Sequence, residues 1–592
     1  MSSVTETGIA IENSSTWTIG LMSSSPAQSL PEDVLYEIFN TMAAVDPPRY
    51  AGPPDLPGRM PVRSSQSDLN LDLYPLWTGI RGPYWHAELE AIKRRNMFSE
   101  QGTLGFIVLT HVCRSWRRAG IDLAPLWGEI VHIFPSALET ILARARGAPL
   151  ALDFGALRRL PVLDQVALHD RYYMLLTKNV VRIRSLVASN PFRSFRDWYG
   201  LLLDQELPVL EDLTLKGAKR IPEDVASPIR PLIAPSLLRL VLDQTAYLPF
   251  SAPALRTLLI QGATQPVPAS TLLAALSATP QLEKLELMFS LDDEPAPEYT
   301  PSVHLPNLAI ARLCDSPEAL SIWRHIVAPP NAELRLHAFR QTILVGPVTD
   351  SLGQVFSAIR PHTSDAAIDA FSLTYDGPYR TFVVALGLCS SASDPTASPP
   401  TNRVTMRLLF RDIIMEFGTI PTFLSRLARE MVPANIKLFH VSPCPPPEDF
   451  LDMDLFDIGN LQPVLQAFAG LYTISVGQEA HQNPFLNALG RRDNSGSVVA
   501  QSLKTIVFAT IDEDTDPVGK GRVATSAKRW SDLASVLSAR ADAGHKLPRL
   551  VLKGVKSFSE RIQADGLPGS DLVRAQVEEF ADKRTWAGVA TA

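Results

Sequence analysis

Leu210-Glu211-Asp212-Leu213-Thr214-Leu215 carries the pattern on which the fold turns, with apolar residues at its first, fourth and sixth places. The pattern returns at Leu237/Leu240/Leu242, Leu255/Leu258/Ile260 and Leu282/Leu285/Leu287, and imperfectly at Leu308/Ala311/Leu313. Successive starts lie 27, 18, 27 and 26 residues apart. Alternation over the closing places is that of a strand with one buried face. Self-similarity at this period marks stacked units, each giving one strand to a parallel sheet. Proline stands two places before the first leucine at Pro208, Pro235, Pro253 and Pro280, and Ser270-Thr271-Leu272-Leu273-Ala274-Ala275-Leu276 reads as a return helix. Strand, helix and turn per unit predict an α/β solenoid.

The period matches that of leucine-rich repeats, but the spacing is uneven and the Asn or Cys that would ladder the turn is missing, so the array is expected to be irregular. After about residue 330 the spacing loosens. Strand-like patches recur at 408–410, 436–440, Leu471/Ile474/Val476, Leu503/Ile506/Phe508 and Leu547/Leu550/Leu552, with helical signals at 420–431 and 530–540 between them. Continuation of the array with longer insertions is the simplest reading, and a separate α/β domain over 331–560 is the alternative. Residues 390–402 and 512–518 have loop composition, and a polar helix is expected over 571–583 ahead of a fraying tail.

Two helical signals lie near the amino end. In 29–42, Ser29 and Glu32 have capping-box spacing, Pro31 falls in the first turn, and Leu35, Ile38, Phe39 and Met42 recur as one apolar stripe. In 103–127, Leu109, Val112, Cys113 and Trp116 form a second stripe, with Arg114, Arg117 and Arg118 on other faces, before Ala124-Pro125-Leu126-Trp127. Neither helix is long enough to stand alone, so each stripe needs a partner. A linking helix follows, with Ser136 and Glu139 at capping-box spacing, Leu138, Ile141 and Leu142 apolar, and Gly147 placed to end it, and residues 149–154 then alternate like a strand.

The run Leu30-Pro31-Glu32-Asp33-Val34-Leu35 through Ile38-Phe39, with His111-Val112-Cys113-Arg114-Ser115-Trp116-Arg117 and Pro125-Leu126-Trp127, resembles the F-box of the large fungal (basidiomycete-type) F-box families, and the helix-to-strand passage after it is similar too. The chain departs from that family in the long Pro-rich stretch 41–102, which parts the two halves. The resemblance implies docking onto a Skp-type adaptor, and through it to the cullin of a ubiquitin ligase. The residues that would meet the adaptor are Leu30, Pro31, Leu35, Ile38, Phe39, Val112, Cys113, Trp116, Leu126 and Trp127, the last two bracing the module. An apolar helix face laid into a partner's groove uses anchors at this spacing. A plain helical hairpin capping the next domain is the competing reading.

Composition bounds the alternatives. At 592 residues the chain exceeds the size of one core, so a small module and one or two larger bodies are expected. A net charge of −7 gives no reason to expect a nucleic-acid partner, since no basic stripe offsets it. The four cysteines, Cys113, Cys314, Cys389 and Cys444, have no paired spacing, which argues against a zinc site or a disulfide framework. The first 21 residues do not read as a secretory leader, and no apolar run reaches the length of about 18 residues needed for a membrane span. A reducing compartment, cytoplasm or nucleus, is therefore expected, with neither membrane nor cofactor.

Catalytic motifs are missing: there is no Gly-x-Ser-x-Gly, no His-Glu-x-x-His and no phosphate loop around Gly519-Lys520-Gly521. The acidic run Asp512, Glu513, Asp514, Asp516 reads as a solvated loop, and His440 with Cys444 as unrelated loop residues without an orienting partner. The expected organisation is 1–28 as a disordered start, 29–130 as the helical module with insertion 41–102, and 131–330 as linking helix and repeats. Residues 331–560 are expected to continue the array or form a second subdomain, and 561–592 to form a helix and tail. The expected role is a non-catalytic adaptor that recognises an unidentified target protein. A ligase-free interaction scaffold and an enzyme hidden in the carboxy half are the alternatives.

Overall fold

A computed structural model of the chain describes residues 30–48, 104–154, 162–189, 201–217 except 204, 230–292, 301–339 except 330, 369–376, 381–389, 401–411, 436–441, 462–476 except 469, 482–492, 496–510, 522–556, 570–583 and 585–586, with a few isolated residues between. These fall into two compact units, the first holding 30–48, 104–152 and 162–169, the second 153–154 and 170 onward. The chain is mixed α/β with a long, mostly parallel sheet.

The first unit contains α1 (Glu32–Val45), a 3₁₀ segment (Gly105–His111), α2 (Arg114–Asp122), α3 (Ala124–Glu129), α4 (Leu138–Ala145) and all but the last residue of the strand β1 (Leu150–Asp153). The linking helix and its strand thus cluster with the amino-terminal unit and not with the repeats. Two cap expectations need correction here. The linking helix starts at Leu138 from Ala137 with no side-chain cap, because a 3₁₀ turn (Pro135–Ala137) precedes it. Its end is turned by Arg146, at φ 48°, and not by Gly147.

The second unit starts with the carboxy-terminal part of α5 (Val162–Asn179), whose Tyr172 packs edge-on against Phe154 at 5.6 Å. Its first strands are β2 (Ile183–Ser189), β3 (Asp212–Lys216), β4 (Leu232–Ile233), β5 (Arg239–Asp243), β6 (Phe250–Ser251) and β7 (Thr257–Gln261). They are followed by α6 (Ala269–Ser277), β8 (Lys284–Met288), β9 (Val303–His304), β10 (Ile310–Asp315), α7 (Pro317–Leu320), β11 (Ile326–Val327) and β12 (Glu333–Phe339). Strands β2, β3, β5, β7, β8, β10 and β12 lie side by side and all parallel. The short strands pair apart from them, β4 with β6 and β9 with β11.

Register repeats as the leucine pattern does. Leu213, Leu240, Leu258, Leu285, Ala311 and Leu334 are consecutive partners, as are Leu215, Leu242, Ile260, Leu287, Leu313 and Leu336. All are buried, so two apolar columns run along one face of the sheet. At about 25 cal/mol per Å² of apolar surface removed from water, such columns supply the main favourable term of folding.

The prolines have a local reason. In Leu207-Pro208-Val209-Leu210 the Leu210 amide donates to the Leu207 carbonyl, and the same three-residue return joins Leu237 to Ala234, Leu255 to Ala252, Leu282 to Thr279 and Leu308 to Leu305. Each is a turn with proline at its second position, where a fixed φ is already that of the turn. Neighbouring turns are also tied: Ser236 donates to the Pro208 carbonyl at 2.6 Å and Asn307 to that of Pro280 at 3.2 Å. At the far ends of β3, β5, β7 and β8 stand left-handed residues, Gly217, Gln244, Gly262 and Phe289, with φ of 65°, 51°, 57° and 52°. Their spacing repeats that of the leucines, and each donates its amide to the next strand, Gln244 to the Gln261 carbonyl for example.

Beyond β12 the sheet continues through β13 (Ala370–Asp376), β14 (Thr381–Cys389) and β15 (Thr401–Arg411), but in reversed order. β15 pairs parallel with β12, β14 lies antiparallel between β15 and β13, and β13 then pairs parallel with β16 (Leu438–Val441). The parallel run resumes through β17 (Thr473–Val476), β18 (Thr505–Thr510), β19 (Leu547–Lys556) and β20 (Val577–Asp582), with the short β21 (Thr585–Trp586) beside β19. Phe439, Ile474, Ile506 and Leu550 are partners in register here. Residues 331–560 therefore contribute to the same sheet instead of making another.

Helices α8 (Gln462–Ala467), α9 (Gln482–Gly490), α10 (Arg522–Asp542) and α11 (Ser570–Gln576) alternate with these strands. The helix expected over 571–583 ends at Gln576, because Val577–Asp582 pairs with β19 as a strand. Arg540 of α10 is fully buried and donates to the carbonyls of Val499 at 2.6 Å and Ala500 at 2.9 Å, which satisfies a turn that no strand pairs. Burial alone lowers its pKa to about 10, still leaving it charged at neutral pH. The helical signal at 420–431, the loop at 512–518 and most of the insertion, from 49 on, lie outside the described residues.

Candidate partner-docking site

The amino-terminal unit brings its two sequence halves together. Phe39 of α1, with no exposed surface, lies 6.4 Å from Phe106 and 6.2 Å from Trp116 between ring centroids, and Phe106 lies 5.7 Å from Trp127. The Trp127 indole donates to the Gly120 carbonyl at 2.8 Å, and the Arg144 guanidinium sits 4.4 Å over its ring. Gly120 allows this closeness: a Cβ there would stand 2.7 Å from two Phe39 ring atoms and 2.8 Å from Thr110 Cγ2. A second seam is made by Gly105, at φ 50°, whose added Cβ would meet the Asp46 carbonyl oxygen at 2.4 Å. The end of α1 thus passes against the start of the 3₁₀ segment, backbone to backbone.

Local structure differs from the sequence reading in two respects. α1 begins from Pro31, which has no side-chain cap, while Ser29 lies outside the described residues. The second signal is not one helix. A 3₁₀ turn ends at His111, and Cys113, fully extended at φ −158°, then starts α2. Leu109 and Trp116 accordingly belong to different elements. Thr110 ties the break: its hydroxyl donates to the Ile107 carbonyl at 2.7 Å and its own carbonyl accepts from Arg117 Nε at 3.1 Å.

The ten expected anchors divide. Leu35, Phe39, Trp116 and Trp127 are buried and form the module's own core. Leu35, Phe39 and Trp116, expected to meet the adaptor, lie instead in that core, and Trp127, expected to brace the module, lies there with them. Leu30, Ile38, Cys113 and Leu126 are half-buried, and Pro31 and Val112 are exposed. Exposed apolar residues that the stripe reasoning missed stand among them: Val34, Val45, Leu104 and Val108, with Val108 54 % and Val112 50 % exposed.

Cys113 carries a thiol whose pKa is lowered by the Ser115 hydroxyl, 3.1 Å away, and by the backbone amide of Trp116. On α1, Tyr36 donates to Glu32 at 2.5 Å, which raises the pKa of the phenol. Comparison with known proteins gives no family. No protein-family model, no curated protein and no solved structure matches the chain.

Elsewhere, His440 lies on β16 while Cys444 is outside the described residues, so their pairing is not among the observed contacts. Burial, with Lys553 in addition, lowers the His440 pKa to about 4, so the ring is neutral in the folded chain. The Cys314 thiol lies 3.3 Å from His337 Nδ1, and burial with the Asp315 charge pushes its pKa up, holding it protonated. Among the described residues no group of three or more His, Cys, Asp or Glu side chains is placed to hold a metal ion, and no helix is long and apolar enough to cross a membrane.

Proposed function

We propose that the chain is the target-recognition adaptor of a Skp-cullin-F-box type ubiquitin ligase, with an F-box-like module at its amino end and an irregular leucine-rich-like solenoid as its recognition body. The observation that carries the reading is the packing of Phe39 between Phe106 and Trp116, which makes one folded unit from the two sequence halves bearing the F-box resemblance. That unit keeps Pro31, Val34, Val108 and Val112 outside its core. Exposed apolar side chains of this kind are what an apolar helix face laid into a partner's groove would use. The body supports the second half of the reading through its repeated turn, strand and left-handed exit.

The adaptor makes and breaks no bonds itself. Held at one end by a Skp-type adaptor and a cullin, it keeps a target close to the ubiquitin-charged enzyme, so that tethering raises the effective concentration of acceptor lysines. Co-purification of the tagged chain with a Skp-type adaptor tests this. Wild type is expected to retain the adaptor, and a variant with Leu30→Ala, Pro31→Ala and Val112→Asp is expected to lose it while keeping its fold. Retention by the triple variant would remove the docking face, and no retention by wild type would leave a ligase-free scaffold as the better reading.

A further inference from the structure

The second face of the sheet, opposite the leucine columns, carries one line of residues whose character changes abruptly. Val187, Thr214, Val241, Leu259, Glu286, Arg312, Arg335 and Arg407 are successive register partners from β2 to β15. Four uncharged residues are thus followed by one acid and three arginines. Beyond β15 the line is neutral again, at Ala385 and Ser372. Neighbouring strands stand about 4.8 Å apart, so three cationic positions follow at that step. Like charges at directly opposed places weaken a sheet, and nothing in the packing of the apolar face asks for them.

The acids beside this line hold the arginines in place. Glu286, only 3 % exposed, accepts from Arg312 Nη1 at 2.9 Å and from Lys284 Nζ at 3.0 Å. Glu333 accepts from Arg335 Nε at 2.6 Å and also pairs with its Nη2. Both arginine side chains remain partly exposed, 24 % for Arg312 and 21 % for Arg335, and Arg312 Nε has no hydrogen-bond partner. β15 adds Arg407 and, at the register place opposite Phe339, Arg411, with no acid in its sequence. Across β8, β10, β12 and β15 the second-face places therefore hold five cations against two acids, on a chain whose net charge is −7.

We propose that Arg312 and Arg335, register partners on β10 and β12, mark the place where the sheet binds an acidic, Asp- and Glu-rich segment of a partner protein. Guanidinium groups oriented by neighbouring acids are prepared to meet carboxylates by charge-assisted hydrogen bonds, and a local cationic field on an acidic protein steers such a segment to one place. A nucleic acid would ask for a longer basic stripe than this row supplies. The proposal rests on the reading of the second unit as the recognition body, and it names the chemistry of what that body recognises.

The test uses the full-length chain and a fluorescein-labelled Gly-Ser peptide carrying six glutamates, with binding read by anisotropy at low and at physiological ionic strength. The acidic peptide is expected to bind and to weaken as salt rises, while the matched lysine peptide does not bind. Arg312→Gln with Arg335→Gln should lose at least tenfold in affinity, whereas Arg239→Gln, a cation on the same face away from the row, should change little. If the double glutamine variant fails to fold by circular dichroism, Arg312→Lys with Arg335→Lys keeps the charge but not the fork, and should bind several-fold more weakly. Equal binding by a folded variant of the row, or no binding by wild type, overturns the proposal. The readout contains no Skp-type adaptor, so failure of adaptor docking leaves this result standing, and the converse holds.

Discussion

Phe39 and Trp116, on opposite sides of the long stretch that parts the two amino-terminal signals, lie with ring centroids 6.2 Å apart, and the glycine that lets them do so is Gly120. A methyl group at that position would overlap the Phe39 ring, and overpacking a tight core costs about 1–3 kcal/mol. Gly120→Ala is therefore expected to loosen α1 from α2. Hydrogen exchange of the α1 amides, compared between wild type and variant, should show lost protection there and unchanged protection in β5, β7 and β8. Unchanged α1 protection would mean that the two halves are not braced through this contact.

The left-handed exits give a prediction of opposite signs. A non-glycine residue in that region costs about 1–2 kcal/mol. Gln244 stands at φ 51° and Gly262 at φ 57°, and a Cβ on Gly262 would meet nothing closer than Gln244 Cγ at 3.5 Å. Gln244→Gly should thus raise the urea midpoint of the sheet's unfolding, and Gly262→Ala should lower that midpoint through a loss of roughly 1 kcal/mol of unfolding free energy, a backbone effect without a clash. Equal and unchanged midpoints would place these turns outside the cooperative unit.

Much of this part of the fold was legible in the sequence. The leucine columns were, because burial of alternate side chains writes period two into the strands and the turn writes proline before them. The positive-φ exits were not, since Gln244 and Phe289 hold a conformation that their residue type disfavours and only the neighbouring strand imposes. The reversed order of β13, β14 and β15 was illegible too: pairing partners distant in sequence leave no local trace. At the candidate docking site the stripes were read as apolar, but Leu35, Phe39 and Trp116 served the core, and a stripe by itself does not say whose core it joins.

His440 supplies a pH dependence. Its pKa is lowered to about 4 in the folded chain against the ordinary value near 6.5, so below pH 6.5 the unfolded chain binds more protons. Stability is then unaffected above pH 6.5 and falls as the pH drops from there toward 4, by up to about 3 kcal/mol if the shift is fully realised. His440→Gln should flatten the part of the stability profile that lies in this window. An unchanged slope would show that other groups carry it.

Asp315 caps the turn after β8: its Oδ2 accepts from the amides of Ser290 at 2.9 Å and Leu291 at 3.0 Å, and its Oδ1 from Ser316 at 3.0 Å. Loss of a buried ionic acceptor leaves these amides unpaired, at about 1–3 kcal/mol. Asp315→Ala is expected to lower the unfolding free energy by that order, measured by urea titration. Asp315→Asn should recover part of it, by supplying one carbonyl oxygen where two carboxylate oxygens stood. No loss in the alanine variant would contradict the cap.

The most direct measurement is calorimetric titration of a purified Skp-type adaptor into the full-length chain, for wild type and for Val108→Asp with Val112→Asp, two exposed residues that the module's core does not use. The account predicts saturable one-to-one binding by wild type and loss of at least tenfold in affinity in the variant, with the fold of both intact. Absence of binding by wild type, or the same affinity in both, would contradict it.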